Sequence, residues 1–335
     1  MTEREREVRE EGPAALGSIR QEGGKVARAA GMMGILTLVS RLLGLARDIG
    51  QAAVLGTGIA ADAFTLAFVI PNILRRLFGE STVSAALVPT LTSTLVDKGR
   101  AEGSRLGSRI VTFTVVCLTV ITIAGILAAP LLVRLFAPGF EGEPGKTLLA
   151  TRLLRFLFPY ILFVGTAAVV MGILNSARHF LTPTLGPILF NISALCGLFA
   201  LPLLWRPDEP VWPYSAGILA GGAAQLLVQL PALRRNGFSI RPDFSFGDPA
   251  LKSVLRLAVP ALVGLIAAEF NILVDQMVAS ILEEGSVAAL SYGNRIMQFP
   301  LGVFAVAAAT ALLPTLSRQA ALNRLEEARK TLGYA

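Results

Sequence analysis

Apolar residues run through this chain in blocks long enough to cross a bilayer, and glycine, proline and clusters of charge cut the blocks apart. A crossing helix needs about 20 mainly apolar residues. On that measure residues 29–319 divide into eight spans, near 29–56, 60–96, 106–137, 150–176, 182–204, 213–233, 251–282 and 286–317. Several exceed a straight crossing, which predicts tilt, kinks or extension into water. The fold class expected is an all-α polytopic membrane protein.

Three spans carry a polar stripe. In the first, TLVSRLLGLARDIGQ (37–51), Thr37, Ser40, Arg41, Gly44, Arg47, Asp48 and Gln51 fall within an arc of about 120° on an ideal helix, and leucine, isoleucine and alanine fill the remainder. In the second, Asp62, Thr65, Asn72, Arg76 and Glu80 share an arc of about 80°, with Arg75 about 60° beyond; Pro71, Gly79 and Pro89 predict bends there. In the eighth, Ser291, Asn294, Arg295 and Gln298 lie together. An arginine at the bilayer centre costs roughly 2.5–3.5 kcal/mol on insertion scales, so such residues face a bundle interior or hydrated cavity and mark a substrate or ion route. Internal ion pairs or snorkelling could explain any one of them. As a set, Arg41, Arg47, Arg75, Arg76 and Arg295 outnumber the nearby carboxylates Asp48, Asp62 and Glu80. The excess calls for an anion, and the guanidinium fork suits phosphate oxygens.

Composition agrees: hydrophobic residues make up 53% and charged residues 16% of the chain, with a mean hydropathy of +0.64 that excludes an ordinary soluble domain. The net charge of +7 is spread over alternate loops. One set holds Lys98, Arg100, Arg105, Arg109, Arg178, Arg234, Arg235, Arg241, Lys252 and Arg256; the other holds Glu141, Glu143, Asp208, Glu209, Glu283 and Glu284. Arg134, Lys146, Arg152, Arg155 and Arg206 run against the pattern. The alternation predicts a cytoplasmic amino terminus, and it makes anionic membrane lipids rather than nucleic acid the partner of the basic loops.

The mixed-charge residues 1–28 contain no signal peptide and read as a cytoplasmic flexible tail. Cys117 and Cys196 read as buried helix residues without a disulfide or metal role, and His179 as a surface residue at a turn. No nucleotide loop, metal-ligand cluster or catalytic triad is present, so no cofactor and no enzymatic activity are expected.

The string AALVPTL at 85–91 recurs as TALLPTL at 310–316, each time closing a polar-striped span of the same polarity. This predicts a six-helix N-lobe over 29–237 and, over 238–335, the first two helices of a second, parallel-repeat lobe. Two helices cannot close a bundle, so the chain reads as a piece of a longer protein.

SRLLGLARD at 40–48, ADAFTLAFVIPNILRRLFGE at 61–80, ALVPTL at 86–91, LFPYIL at 157–162 and LLPTLS at 312–317 together resemble the MurJ (MviN) family of bacterial lipid II flippases. The resemblance runs from about residue 29 onward and covers that family's first eight spans. It implies membership of the multidrug, oligosaccharidyl-lipid and polysaccharide exporter superfamily, a location in the bacterial cytoplasmic (inner) membrane, and movement of lipid II between leaflets by alternating access. It implies substrate-binding roles for Ser40, Arg41, Arg47, Asp48, Asp62, Asn72, Arg75 and Arg295, to which the stripe adds Arg76. Asn294 and Gln298 stand where many members carry carboxylates. Asp275 resembles a sodium-site acid, and Glu269, where a neutral residue is usual, is a candidate for proton coupling or pairing. Cell-wall synthesis proteins are further expected partners. The alternatives are a related polyprenyl-diphosphate oligosaccharide or drug exporter, and a non-transporting membrane scaffold.

Overall fold

The computed structural model describes residues 31–79, 81–205, 209–298 and 319, and among these every regular element is a helix. The first, α1, runs over 31–55. It is followed by α2 (Ile59–Gly79), α3 (Ser81–Asp97) and α4 (Gly99–Phe136), then by a 3₁₀ turn at Pro138–Gly142, α5 (Lys146–Leu157) and α6 (Tyr160–Ser176). Next come α7 (Leu181–Phe199), the one-turn α8 (Leu201–Leu204), α9 (Val211–Leu227), α10 (Gln229–Arg235) and α11 (Pro249–Ser280); α12 covers 286–298. The expected second span corresponds to α2 together with α3, and the fourth begins earlier, at Lys146, and breaks at Phe158–Pro159. Residues 1–28, Glu80 and the second copy of the AALVPTL motif lie outside the described residues.

Five stretches are long and apolar enough to cross a membrane: Gly99–Phe136, Lys146–Ser176, Leu181–Leu204, Val211–Arg235 and Pro249–Ser280. The charged helices α1 and α2 are not among them. The protein is therefore a multi-pass membrane protein whose most polar helices are the ones that need protein or water around them. α6 is the central helix, buried along nearly its whole length. α7 and α9 approach at Gly197 and Gly217, where a Cβ added to Gly197 would come within 2.8 Å of the Gly217 Cα. This is the small-residue contact that lets helices associate where no hydrophobic force separates them from lipid.

Two positions bear on expectations from the sequence, one of them as a correction. Cys117 is half-buried, but Cys196 is exposed, on the outer side of α7: a thiol is apolar enough for a lipid-facing surface, so burial was not required. His179 hydrogen-bonds Thr182 at 2.7 Å and so joins the turn to the first turn of α7.

The connection from α10 to α11 is extended and zipped onto α4. Backbone amides of Ser239, Arg241 and Asp243 donate to the hydroxyls of Ser104, Ser108 and Thr112 at 3.0, 3.2 and 3.1 Å. Four helical residues rise about 6 Å and two extended residues about 6.6 Å, so hydroxyls at every fourth position meet amides at every second. Arg109 closes the zipper with ion pairs to Asp243 (3.0 Å) and Asp248 (2.7 Å). Asp248 in turn caps α11, accepting from the amides of Ala250 and Leu251. Outside the membrane segments, the Asp243 carboxyl is held below the usual carboxylate range, chiefly by hydrogen bonds from Ser245 and then by the Arg109 charge.

At the opposite face the turns after α1 and α11 cap each other. Glu284 accepts from the first amide of α2, Ile59, at 3.0 Å. Asp62 accepts from the amides of Gly285 and Ala288, both at 2.8 Å, at the start of α12. Gly285 has φ +91° and lies so close to the Thr57 carbonyl that a Cβ would fall 2.0 Å from its oxygen, so glycine is required there on both grounds.

Candidate functional site

Arg41, Arg47 and Asp48 project from α1 because the polar stripe repeats at helical spacing. Asp48 is the organising group. Its Oδ1 accepts from Arg47 Nε at 3.1 Å and Nη2 at 2.8 Å, and it pairs with Arg295 Nη1 from α12. Arg47 is further held by α7: its Nη1 donates to Asn191 Oδ1 at 3.0 Å, and its guanidinium lies 5.4 Å from the centroid of the Phe190 ring. Asn191 completes the frame by donating to the main-chain oxygen of Ser40 at 3.0 Å. A neighbouring contact, Tyr214 Oη to Gln51 Oε1 at 2.9 Å, is fully buried.

Beside this frame lies a cavity of about 590 Å³ whose wall includes Arg41, Gly44, Asp48, Tyr292, Arg295 and Gln298. Arg41 and Arg295 are the arginines in its lining, and Asp48 is the carboxylate. Arg47 and Arg295 both pair with Asp48, and Arg41 lines the same cavity. Fixed, charge-assisted donors in a low-dielectric site bind an anion more strongly than they would in water.

The structure brings Arg41, Arg47, Asp48 and Arg295 together; Ser40 joins them through its carbonyl rather than its hydroxyl. The residues expected from α2 are elsewhere, and none of them lines this cavity. Arg75 Nε donates to Asn72 Oδ1 one turn back, at 2.9 Å. Arg76 pairs across to Glu269 of α11 at 2.8 Å, which gives Glu269 the pairing role. Asp62 departs furthest from its expected place: its side chain is 1% exposed and 2.9 Å from Lys146 Nζ, while both oxygens also cap α12. It is a structural carboxylate in this conformation, because two amides and an ammonium already surround it. Asp275 is exposed on α11. No group of three or more His, Cys, Asp or Glu able to hold a metal occurs among the described residues.

Sequence reasoning missed Asn191, Phe190 and Lys146. An asparagine inside the apolar run GPILFNISALCG was a usable signal for an intramembrane hydrogen bond. Lys146 was visible only as a basic residue on the unfavoured side of the membrane; its tie to Asp62 and its position 4.6 Å from the Phe140 ring centroid explain why it sits there.

Comparison with known proteins bears on this geometry. The family model described as Lipid II flippase MurJ matches residues 51–335. A probable lipid II flippase MurJ of Vibrio cholerae serotype O1 is 37% identical over 292 residues, covering 85% of this chain and 55% of that protein. One from Rhizobium tropici is 38% identical over 298 residues, covering 88% and 56%. The chain thus spans just over half the length of these curated relatives. Among solved structures, a lipid II flippase MurJ in an inward closed conformation superposes with a TM-score of 0.72 at 26% identity, covering 86% of this chain and 59% of that one. An inward-facing multidrug resistance MATE family transporter of the MOP superfamily gives 0.67 at 16% identity, covering 88% and 66%, a likeness of fold alone.

Proposed function

The chain belongs to the MurJ family of lipid II flippases, and on that premise we propose that the protein moves lipid II, the undecaprenyl-diphosphate-linked peptidoglycan precursor, across the bacterial cytoplasmic membrane by alternating access. The observation that carries the reading is the cavity edged by Arg41 and Arg295, with Asp48 holding Arg295 and Arg47 beside it. A diphosphate brings the charge and paired oxygens these forks accept. A cationic drug would meet net positive charge, which argues against drug export.

The loop charges put the amino terminus and the zipped linker in the cytoplasm. The mutually capped turns at Thr57 and Gly285 then close the outer face, and the cavity receives the lipid head from the inner leaflet. Arg41 and Arg295 make first contact with the diphosphate. Asp48 keeps the guanidiniums apart and oriented, and Arg47, fixed by Asn191 and Phe190, keeps Asp48 in place. As the anion engages Arg295, it competes with Asp48, which loosens α12 from α1. Opening outward then requires Asp62 and Glu284 to release the helix ends they cap. Asp275 is the candidate for sodium or proton coupling. Anionic membrane lipids meet the basic cytoplasmic loops, and cell-wall synthesis proteins are the partners this role implies.

The test is rescue of a strain depleted of its own lipid II flippase by the full-length gene, beside Arg47→Ala and Arg295→Ala at matched expression. Rescue by the parent and loss in both variants supports the reading. Rescue by all three removes these arginines from the mechanism, and failure of a well-expressed parent removes lipid II as cargo.

A further inference from the structure

α11 is held at three heights by ties of unequal strength. At its amino-terminal end Asp248 both caps the helix and pairs with Arg109, and the hydroxyl ladder fixes the preceding linker to α4. At its carboxy-terminal end Ser280 Oγ accepts from the amide of Gly139 at 3.4 Å, and the following turn is bound to Ile59 and Asp62. In midspan lies the ion pair of Glu269 with Arg76 of α2, Nη2 to Oε2 at 2.8 Å. Pro260 lies between the first tie and the pair and removes the helical bond to the Arg256 carbonyl; Gly264 follows with nothing within 4 Å of where a Cβ would be. The backbone can change its bend there while both ends stay in place.

We propose that the Arg76–Glu269 pair is a releasable latch between α2 and α11, whose breaking lets α11 change its bend about Pro260 and Gly264 with both ends anchored. The purpose of that motion rests on the transport reading; the latch itself does not. The two sides of the pair differ. Glu269 has a side chain 10% exposed and Arg76 one 31% exposed, so the arginine is the member that solvent or an approaching anion can reach. A carboxylate at this depth is costly once its cation leaves, which makes latched and released forms discrete states rather than a continuum.

The experiment uses full-length protein in lipid nanodiscs with every native cysteine, Cys117 and Cys196 included, replaced by alanine. Spin labels are attached at Leu131→Cys on α4 and Phe270→Cys on α11, both exposed positions, and inter-label distances are measured without substrate. Glu269→Gln, which keeps shape and removes charge, is expected to raise a second distance population roughly tenfold over the parent. Arg76→Gln does the same, and the exchanged pair Arg76→Glu with Glu269→Arg restores the parent distribution. Parent-like distances in both single variants overturn the latch, as does an exchanged pair that fails to restore them. With no substrate present, the result stands apart from whether lipid II is the cargo.

Discussion

Arg155 donates its Nε hydrogen to the main-chain oxygen of Ile126 at 3.2 Å, and that oxygen is the one that Pro130, four residues on in α4, leaves without a helical donor. A basic residue that runs against the topological charge pattern therefore repairs a helix bond. Replacing Arg155 with leucine removes this donor, at a cost of about 1 kcal/mol, the net worth of one hydrogen bond. In a Pro130→Ala background, where the amide of residue 130 can serve Ile126, the same replacement is expected to cost much less. A double-mutant cycle on thermal unfolding in nanodiscs measures the coupling; equal costs in both backgrounds would show that Arg155 acts by other contacts.

Lys146 and Asp62 form the most deeply buried ion pair described, with side chains 4% and 1% exposed. Lys146→Met leaves Asp62 with its two amide donors but no counter-charge, and removing one partner of a buried pair costs about 3–5 kcal/mol. The variant is expected to fall sharply in folded yield. Adding Asp62→Asn should recover part of the loss, read by size-exclusion profile and unfolding temperature.

The positions of these groups show what the chain revealed on its own. Arg41, Arg47, Asp48 and Arg295 were legible because a charged stripe in an otherwise apolar helix has few places to go. The α2 stripe looked the same on a helical wheel, yet its residues meet α5, α11 and α12 rather than the cavity, since periodicity fixes a face but not the neighbour it meets. Span positions followed apolar content closely, and Pro71 and Pro89 sit inside helices rather than at their ends. Lys146 and Arg155 were counted as topological exceptions. Their partners are far away in sequence, where loop charge carries no information.

The linker zipper is acid-sensitive. Asp243 has a folded-state pKa depressed mainly by its Ser245 hydrogen bonds and then by Arg109. Its contribution to stability is therefore complete above the unfolded-state value, near 3.9, and is lost as pH falls through the lower folded-state value. Unfolding temperature between pH 5 and pH 3 should fall more steeply for the parent than for Asp243→Asn. Parallel curves would mean that this carboxylate does not hold the linker.

The ladder itself is testable at Ser108, whose hydroxyl accepts from the amide of Arg241 at 3.2 Å and donates back to the Ser104 carbonyl at 2.9 Å, with the Ser239 carbonyl at 3.3 Å. Ser108→Ala leaves the Arg241 amide without its acceptor, for about 1–2 kcal/mol of local stability. Hydrogen exchange at Arg241 is expected to rise roughly tenfold, with exchange in α6 unchanged. A rise spread evenly over the bundle would instead indicate global loosening.

Asp48 poses the sharpest question about transport, because one oxygen receives Arg47 twice and Arg295 once. Asp48→Asn keeps the shape and removes the charge that competes with an incoming diphosphate. Both guanidiniums then become more available to an anion, so lipid II should bind about tenfold more tightly, roughly 1.4 kcal/mol. Flipping should nevertheless slow, since the carboxylate no longer reclaims Arg295 when the head group must leave, and tighter ground-state binding deepens the well from which release begins. Native mass spectrometry of titrated nanodiscs gives the affinity, and rescue of a flippase-depleted strain gives the transport. Tighter binding with lost rescue supports the competition. Weaker binding would show that Asp48 holds the arginines in place for the anion instead of contending with it.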